Sequence, residues 1–358
     1  MNSSAENLIL PADPVSEKIL LKGLSMEELQ EWCIGQGQTR FRGVQLFEWM
    51  YRHEVLDARS MTNIAKRFQD FLSENCVFQT LTTDGITESQ SGETKKFLFR
   101  TNDNQLIESV SMLEDGRHTI CVSSQIGCNV DCDFCATASM GFIRNLSAGE
   151  IVDQLILVRR VVPVQVTNIV FMGMGEPFLN YNRVMTAADI FHHRQGFDLA
   201  SLRITISTSG ILPGIKKFIE ENRRFKLAVS LNATTDAVRT RIMPVNNRWP
   251  LAEVLDALRA YNSDQHRKIM FEYILMKGIN DTEADARRLI ELLKGMECKL
   301  NIIPYNETDG RYQRPDDNVI NAFLDTLYKI RGKIQILVRW SKGQDIAAAC
   351  GQLAVNNT

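Results

Sequence analysis

The chain has 358 residues, 44% apolar and 23% charged, with a formal net charge of −2. That composition excludes a disordered or fibrous chain and leaves room for one large domain and a smaller one. The near-neutral charge excludes a global electrostatic pull toward nucleic acid, although a local basic face can still bind it. Met1–Pro14 lacks the basic and apolar regions of a signal peptide, and no stretch approaches the roughly 18 apolar residues of a membrane span. A cytoplasmic, reducing compartment is therefore expected.

Residues 1–15 are polar and Pro-punctuated and read as a flexible tail. Ser25-Met-Glu-Glu28 is a capping box that opens a helix to about Gly35. Phe41, Val44, Phe47 and Met50/Tyr51 recur at helical spacing over 41–53, and 62–75 gives a third helix. Residues 16–85 are thus expected as a small helical accessory domain. Phe41, Phe47 and Trp49 should build its core, while Arg40, Arg42, Arg52, Arg59, Lys66 and Arg67 give it positive charge. The pattern then changes. Runs 95–100, 106–112 and 119–123 are β-like and separated by turn residues, predicting a β-meander extension over 86–118. Ser147-Ala-Gly-Glu150 caps a helix to about Val161. Strands at 168–172, 202–207, 226–231, 268–275, 299–304 and 334–339 then alternate with helices at 184–192, 211–221, 251–261, 282–294 and 318–330. With 119–123 this makes about six parallel β/α units. The core is therefore α/β over 119–340, an open doubly wound sheet or a partial barrel, followed by a tail over 341–358. In either arrangement the ligand site lies at the carboxyl ends of the strands.

Eight cysteines in a reducing compartment need an account other than disulfides. Cys33, Cys76 and Cys298 suit buried inert thiols. Cys121, Cys128, Cys132 and Cys135 instead fall within fifteen residues. The run Cys128-Asn-Val-Asp-Cys132-Asp-Phe-Cys135 puts three thiolates on one short loop. On a four-iron cube, three cysteines leave one iron open. That iron can chelate the amino and carboxylate groups of S-adenosylmethionine (SAM), and an electron from the cluster can break the sulfonium bond. The competing reading is structural zinc, which wants four ligands in paired knuckles. Cys121 is available as a fourth, but no second knuckle or histidine pair accompanies it.

Further polar groups follow predicted strands. In Met172-Gly-Met-Gly-Glu-Pro177 the glycines allow close backbone approach, and Glu176 can accept hydrogen bonds from the SAM amino group. Ser207-Thr-Ser-Gly210, Ser230-Leu-Asn232 and Asn306 offer hydroxyls and amides suited to a ribose, a carboxylate or adenine.

The C-x₃-C-x-aromatic-C form, with Phe134 before its last cysteine, resembles the radical-SAM signature. The wider set includes Cys121-Val-Ser-Ser-Gln-Ile-Gly-Cys128, Phe171-Met-Gly-Met-Gly-Glu-Pro177, Met243-Pro-Val-Asn246 and Asp345-Ile-Ala-Ala-Ala-Cys-Gly-Gln-Leu353. From about Leu24 to Leu353 the chain resembles the RlmN/Cfr family of radical-SAM adenine methyltransferases of 23S rRNA, most closely the dual-specificity C2 group. The resemblance implies a partial (β/α)6 barrel, a [4Fe–4S] cluster on Cys128, Cys132 and Cys135, and two SAM molecules per turnover. It implies Gly175 and Glu176 at the SAM amino group and Ser207, Ser230, Leu231, Asn232 and Asn306 as further SAM contacts.

By the same resemblance, the target is C2 of adenine 2503 in 23S rRNA and of adenine 37 in tRNA. C2 lies between two ring nitrogens and is too electron-poor to attack SAM directly. The implied route methylates Cys350 with one SAM. A radical from the second SAM takes a hydrogen from the S-methyl group, and the resulting carbon adds to C2. Glu108 accepts the C2 proton. Cys121 then attacks Cys350, releasing the RNA and leaving a disulfide that external thiols reduce. A one-electron donor such as flavodoxin, a thiol reductant, an RNA-contacting helical domain and a monomer complete the expectation, with phosphate contacts from Lys216, Lys217, Arg223, Arg224 and Lys226. Two positions depart from the family pattern: Asn232 stands where a histidine is usual, and Ala347 where an acid is usual. Three alternatives remain open at this point. They are C8 methylation of the same adenine, a radical-SAM reaction on a non-RNA substrate, and a zinc-binding RNA module without catalysis.

Overall fold

The computed structural model describes residues 18–265 and 267–355, so the tail expected over 1–15 lies outside the described residues. The first elements are β1 (Ile19–Leu20), α1 (Met26–Gly35), α2 (Arg40–Phe47), α3 (Lys66–Asn75) and β2 (Cys76–Val77). Both halves of the capping box form: Glu28 N donates to Ser25 Oγ, and Ser25 N donates to the Glu28 carboxylate. The second helix differs from expectation. It is α-helical to Phe47 and continues as a wider π turn over Glu48–Arg52. The third begins at Lys66 instead of Thr62, because Asn63 is engaged elsewhere: its carbonyl accepts from Arg42 and its side chain from Trp49 Nε1. Phe41, expected in the core, is 64% exposed. The α1 contact falls at Gly43, where a Cβ would lie 2.5 Å from the Gln30 backbone, so Leu46, Met50 and Tyr51 join the expected Phe47 in the core, with Trp49 packed against it half-buried.

The meander follows as β3 (Leu81–Glu88), β4 (Thr94–Thr101), β5 (Leu106–Glu114) and β6 (Arg117–Cys121), paired antiparallel in sequence order. Strand β3 was not expected. It is an exposed edge strand whose register shifts between Thr83 and Gly85, so no apolar alternation marks it. It also runs across residue 85, where the accessory domain was expected to end.

The remaining elements are β7 (Gln125–Gly127), α4 (Ala136–Ser139), β8 (Phe142–Asn145), α5 (Ala148–Val161), β9 (Asn168–Phe171), α6 (Tyr181–His192), β10 (Ile204–Thr208) and α7 (Leu212–Glu220). They continue through β11 (Lys226–Ser230), α8 (Asp236–Ile242), α9 (Leu251–Gln265), β12 (Ile269–Leu275), α10 (Glu283–Leu293), β13 (Cys298–Pro304), α11 (Asp317–Ile330) and β14 (Gln335–Val338). One ten-stranded sheet runs β14-β13-β12-β11-β10-β9-β6-β5-β4-β3. From β14 to β6 every pairing is parallel, which gives the partial (β/α)6 core, and the meander continues the sheet antiparallel. No hydrogen-bonded closure joins its two edges among the described residues. No helix among them is long and apolar enough to cross a membrane.

The accessory domain is fastened to α5, whose residues Ala148–Val158 are all buried. Gly23 meets Gly149 so closely that a Cβ on Gly23 would lie 2.3 Å from Gly149 N. Beside them Lys22 Nζ lies 3.4 Å from Asp153 Oδ1, both side chains fully buried. Asp153 Oδ2 also accepts from Thr80 N (2.6 Å) and Oγ1 (2.7 Å).

Candidate active site at the carboxyl ends of the strands

The cysteine loop leaves β7 through Gly127, whose φ of +70° and position require glycine: a Cβ there would sit 1.7 Å from Gly141 O. Four backbone bonds then shape the loop. They run from Cys128 N to Gly141 O, Asp133 N to Ile242 O, Cys135 N to Cys132 O and Ala136 N to Gly351 O, at 2.8–3.0 Å. Cys128, Cys132 and Cys135 line one cavity together with Gly175, Glu176, Ser207, Ser230, Asn232 and Cys350. Burial pushes the Cys128 thiol up to about 12 and Cys132 well above its usual value. Three thiols on one cavity wall suit a cube that takes one thiolate per iron and leaves a corner open, whereas structural zinc wants four ligands.

Segment 172–176 lies flat against 123–125. A Cβ on Gly175 (φ +95°) would fall 2.4 Å from Gln125 Cβ, and one on Gly173 would fall 2.7 Å from Ser123 Oγ. Gln125 fixes this cradle by accepting from Glu176 N (2.8 Å) and donating to Asn145 Oδ1 (2.7 Å). The buried Glu176 carboxylate accepts from Phe178 N (2.9 Å) and Ser209 N (2.7 Å). Burial raises its pKa, and those two N–H groups oppose the rise. Its orientation is thereby set while lone pairs remain for an ammonium group.

Ser207 and Ser230 sit at the carboxyl ends of β10 and β11. Asn232 adopts a left-handed backbone (φ +55°), which asparagine tolerates better than most residues. Its Oδ1 accepts from Ile274 N (3.0 Å), and its carbonyl accepts from Asn280 Nδ2 (2.7 Å). The side chain thus ties the ends of β11 and β12 together. Leu231 has its side chain wholly in the core.

The C-terminal tail packs back onto the cysteine loop. Besides the Ala136–Gly351 bond, Thr137 Oγ1 donates to Leu353 O (2.6 Å). Asn306, expected at adenine, holds this tail: it donates to Cys350 O (3.0 Å) and accepts from Gln344 Nε2 (2.7 Å). Cys350 also borders a second cleft of about 700 Å³, shared with Cys121, Glu272, Arg339 and Trp340. That volume is in the usual range for ligand clefts. Both thiols are free. Burial pushes Cys121 up to about 12 and Cys350 to about 11, and Arg339 draws both down.

Glu108 on β5 is buried, which excludes a solvated strand residue. Its Oε1 lies 3.0 Å from Lys96 Nζ, and its Oε2 accepts from Ala354 N (3.1 Å). Lys96 also donates to Ala347 O (3.4 Å), so this ion pair grips the tail on both sides of Cys350. Burial raises the Glu108 pKa and Lys96 opposes the rise. Some of the expected basic face is already paired. Arg223 binds Asp189 and Glu221, and Lys66 binds Asp70. Gln125, Arg239, Glu272 and Arg339 carry no role in the sequence reading: Glu272 is a lone acid in an apolar strand, and the others stand among ordinary polar neighbours.

Comparison with known proteins decides the family. The Radical SAM superfamily model matches residues 122–290, and the Ribosomal RNA large subunit methyltransferase N-terminal domain model matches 19–78. The curated dual-specificity RNA methyltransferase RlmN of Desulfotalea psychrophila is 44% identical over 353 residues, spanning 96% of each chain. The chain belongs to the RlmN family of radical-SAM RNA methyltransferases. The RlmN of Geobacter sulfurreducens is 42% identical over 334 residues, covering 93% of this chain and 91% of that one. A crystal structure of a radical SAM methyltransferase from Sphaerobacter thermophilus matches with a TM-score of 0.89 at 43% identity, covering 93% of this chain and 98% of that one. RlmN-family enzymes use a [4Fe–4S] cluster and SAM. The three-thiol wall, the glycine cradle and the oriented Glu176 carboxylate fit both groups.

Proposed function

We propose that this RlmN-family enzyme methylates C2 of adenine 2503 in 23S rRNA and of adenine 37 in tRNA, using Cys350 as the methyl carrier. The observation that carries this reading is the bond from Ala136, next to Cys135, to Gly351, next to Cys350. It joins the cluster loop to the carrier loop directly. Cys128, Cys132 and Cys135 would hold the cluster, which when bound would supply the electron for reductive cleavage of SAM to a 5′-deoxyadenosyl radical. Glu176 and the Gly175 cradle hold the SAM amino group, and Ser207, Ser230 and the Leu231–Asn232 strand end contact the rest of SAM.

The Cys350 thiolate takes a methyl group from a first SAM. Its S-methyl group then gives up one hydrogen atom to the 5′-deoxyadenosyl radical, giving 5′-deoxyadenosine, and the carbon radical bonds to C2. Glu108, aligned by Lys96, takes the C2 proton, and the adduct's unpaired electron would return to the oxidised cluster that supplied the first electron, leaving a closed-shell thioether. Cys121 attacks the Cys350 sulfur, the S–C bond breaks, and the released carbon gains a proton to become the methyl group. Asn306 supports this chemistry by fixing the Cys350 carbonyl. The Cys121–Cys350 disulfide needs a thiol reductant, and the cluster needs a one-electron donor such as flavodoxin, as a cytoplasmic monomer would find. The accessory domain presents RNA, with exposed Phe41 beside Arg40 offering a stacking ring and a cation.

Two variants test the scheme. Cys350→Ala should give no methylated RNA and no S-methylcysteine, and full activity in it would remove the carrier role. Cys121→Ala should accumulate a covalent protein–RNA adduct seen as a gel-shifted band, whereas clean RNA release would assign resolution to another group. Nucleoside mass spectrometry of the product separates C2 from C8 methylation.

A further inference from the structure

Helix α8 was not expected from sequence, and it carries Arg239, a guanidinium with no measurable exposure. Its hydrogen bonds all end on neutral oxygens. Nε donates to Leu231 O (3.2 Å), Nη1 to Asn246 Oδ1 (3.0 Å), and Nη2 to Ser209 O (2.6 Å) and Ser230 O (3.1 Å). The nearest acid in sequence, Asp236, is occupied by Asn246 Nδ2 (2.9 Å) and Leu251 N (3.0 Å). Asp236 offsets the buried charge only through space and by way of Asn246, and a cation with no directly bonded carboxylate is costly to bury, so a further nearby anion stabilises it.

Two contacts of α8 indicate which anion. The carbonyls that Arg239 collects belong to the strand ends bearing Ser207, Ser230 and Asn232, on the cavity shared with the three thiols. The end of the same helix also touches the cysteine loop. Ile242 O accepts from Asp133 N (3.0 Å), and Ile242 and Met243 pack where Cys132 and Cys135 pack. Three thiolates on a four-iron core make an anionic group, and its negative charge grows on reduction. Burial draws the Arg239 guanidinium down to about 10, and Cys132 and Asp236 act in the opposite direction.

We infer that Arg239 is a positioning residue that locks the SAM-side ends of β10 and β11 and supplies buried positive charge behind the cysteine loop that would carry the anionic cluster. This rests on the cluster and SAM site proposed above. The test uses the full chain with its cluster reconstituted anaerobically, as wild type, Arg239→Met and Arg239→Lys. Three quantities are measured: the cluster midpoint potential by EPR-monitored titration, the Kd for SAM, and the thermal midpoint.

Arg239→Met should keep its iron but show a more negative potential, because an added electron loses a stabilising charge. Arg239→Lys should restore most of the potential. It should still bind SAM roughly tenfold or more weakly, since a single ammonium cannot reproduce the fork that spans two strand ends. A wild-type potential in Arg239→Met, or wild-type SAM affinity in Arg239→Lys, would overturn the inference whatever happens to thermal stability. If Arg239→Met does not fold, the SAM affinity of Arg239→Lys decides alone. A wild-type chain without iron or SAM cleavage would instead remove the underlying site reading.

Discussion

Glu108, Cys121 and Cys350 share one problem: burial favours their neutral forms, while the proposed chemistry needs them charged. Each has a nearby cation that counters burial. For Glu108 it is Lys96, 3.0 Å away. The carboxyl starts above its ordinary value because burial outweighs that pairing. A proton acceptor works only when ionised, so Lys96→Met, which raises the pKa further, should move the acidic limb of the kcat profile to higher pH. The variant should be most impaired at low pH and approach wild type at high pH. An acidic limb that stays in place would detach Glu108 from proton transfer. For Cys121 and Cys350 the cation is Arg339. Arg339→Gln should slow iodoacetamide alkylation of both thiols severalfold at pH 8, read by peptide mass spectrometry, because less thiolate is present. Unchanged rates would show that Arg339 does not set thiol reactivity.

Among elements, α5 carries the largest structural load, since it lies between the accessory domain and the sheet. Its polar anchor is the buried Lys22–Asp153 pair. Asp153→Asn leaves Lys22 without its counter-charge and should cost about 3 kcal/mol in urea unfolding. A change under about 0.5 kcal/mol would mean that the Gly23–Gly149 contact alone holds the domains. The elements also show what the sequence could express. Capping boxes at Ser25 and Ser147 placed α1 and α5 to within a residue, and the β/α alternation placed β9 to β14. Strand β3 was hidden because an exposed edge strand needs no apolar alternation. The π turn after Phe47 was hidden because its residues keep a helix-like apolar spacing. Helix α8 was hidden because one buried arginine replaces the apolar stripe that periodicity detects.

At the scale of the molecule, residues spread from Cys121 to Leu353 are gathered at one edge of a single sheet. Many ingredients of the site were readable because they sit at or just after strand ends, and a parallel sheet aligns its strand ends. The pairings between distant segments were not readable. Asn306 holds the Cys350 loop, and Glu108 bonds to Ala354 across 246 residues of sequence. Such contacts are set by the return of the tail over the sheet, which no local pattern encodes. The same return brings Cys350 to a cleft shared with Cys121 and ties its loop to the cysteine loop through the Ala136–Gly351 bond.

The account depends most on methyl transfer through Cys350 by way of a carbon radical. The direct measurement uses SAM bearing a trideuterated methyl group, with anaerobically reconstituted enzyme and an adenine-containing rRNA fragment, followed by mass spectrometry of the methylated nucleoside. The account predicts 2-methyladenosine whose methyl group has lost one deuterium, because one hydrogen is removed from the Cys350 S-methyl group before the carbon reaches RNA. A methyl group that keeps every deuterium would mean direct transfer from SAM and would contradict it.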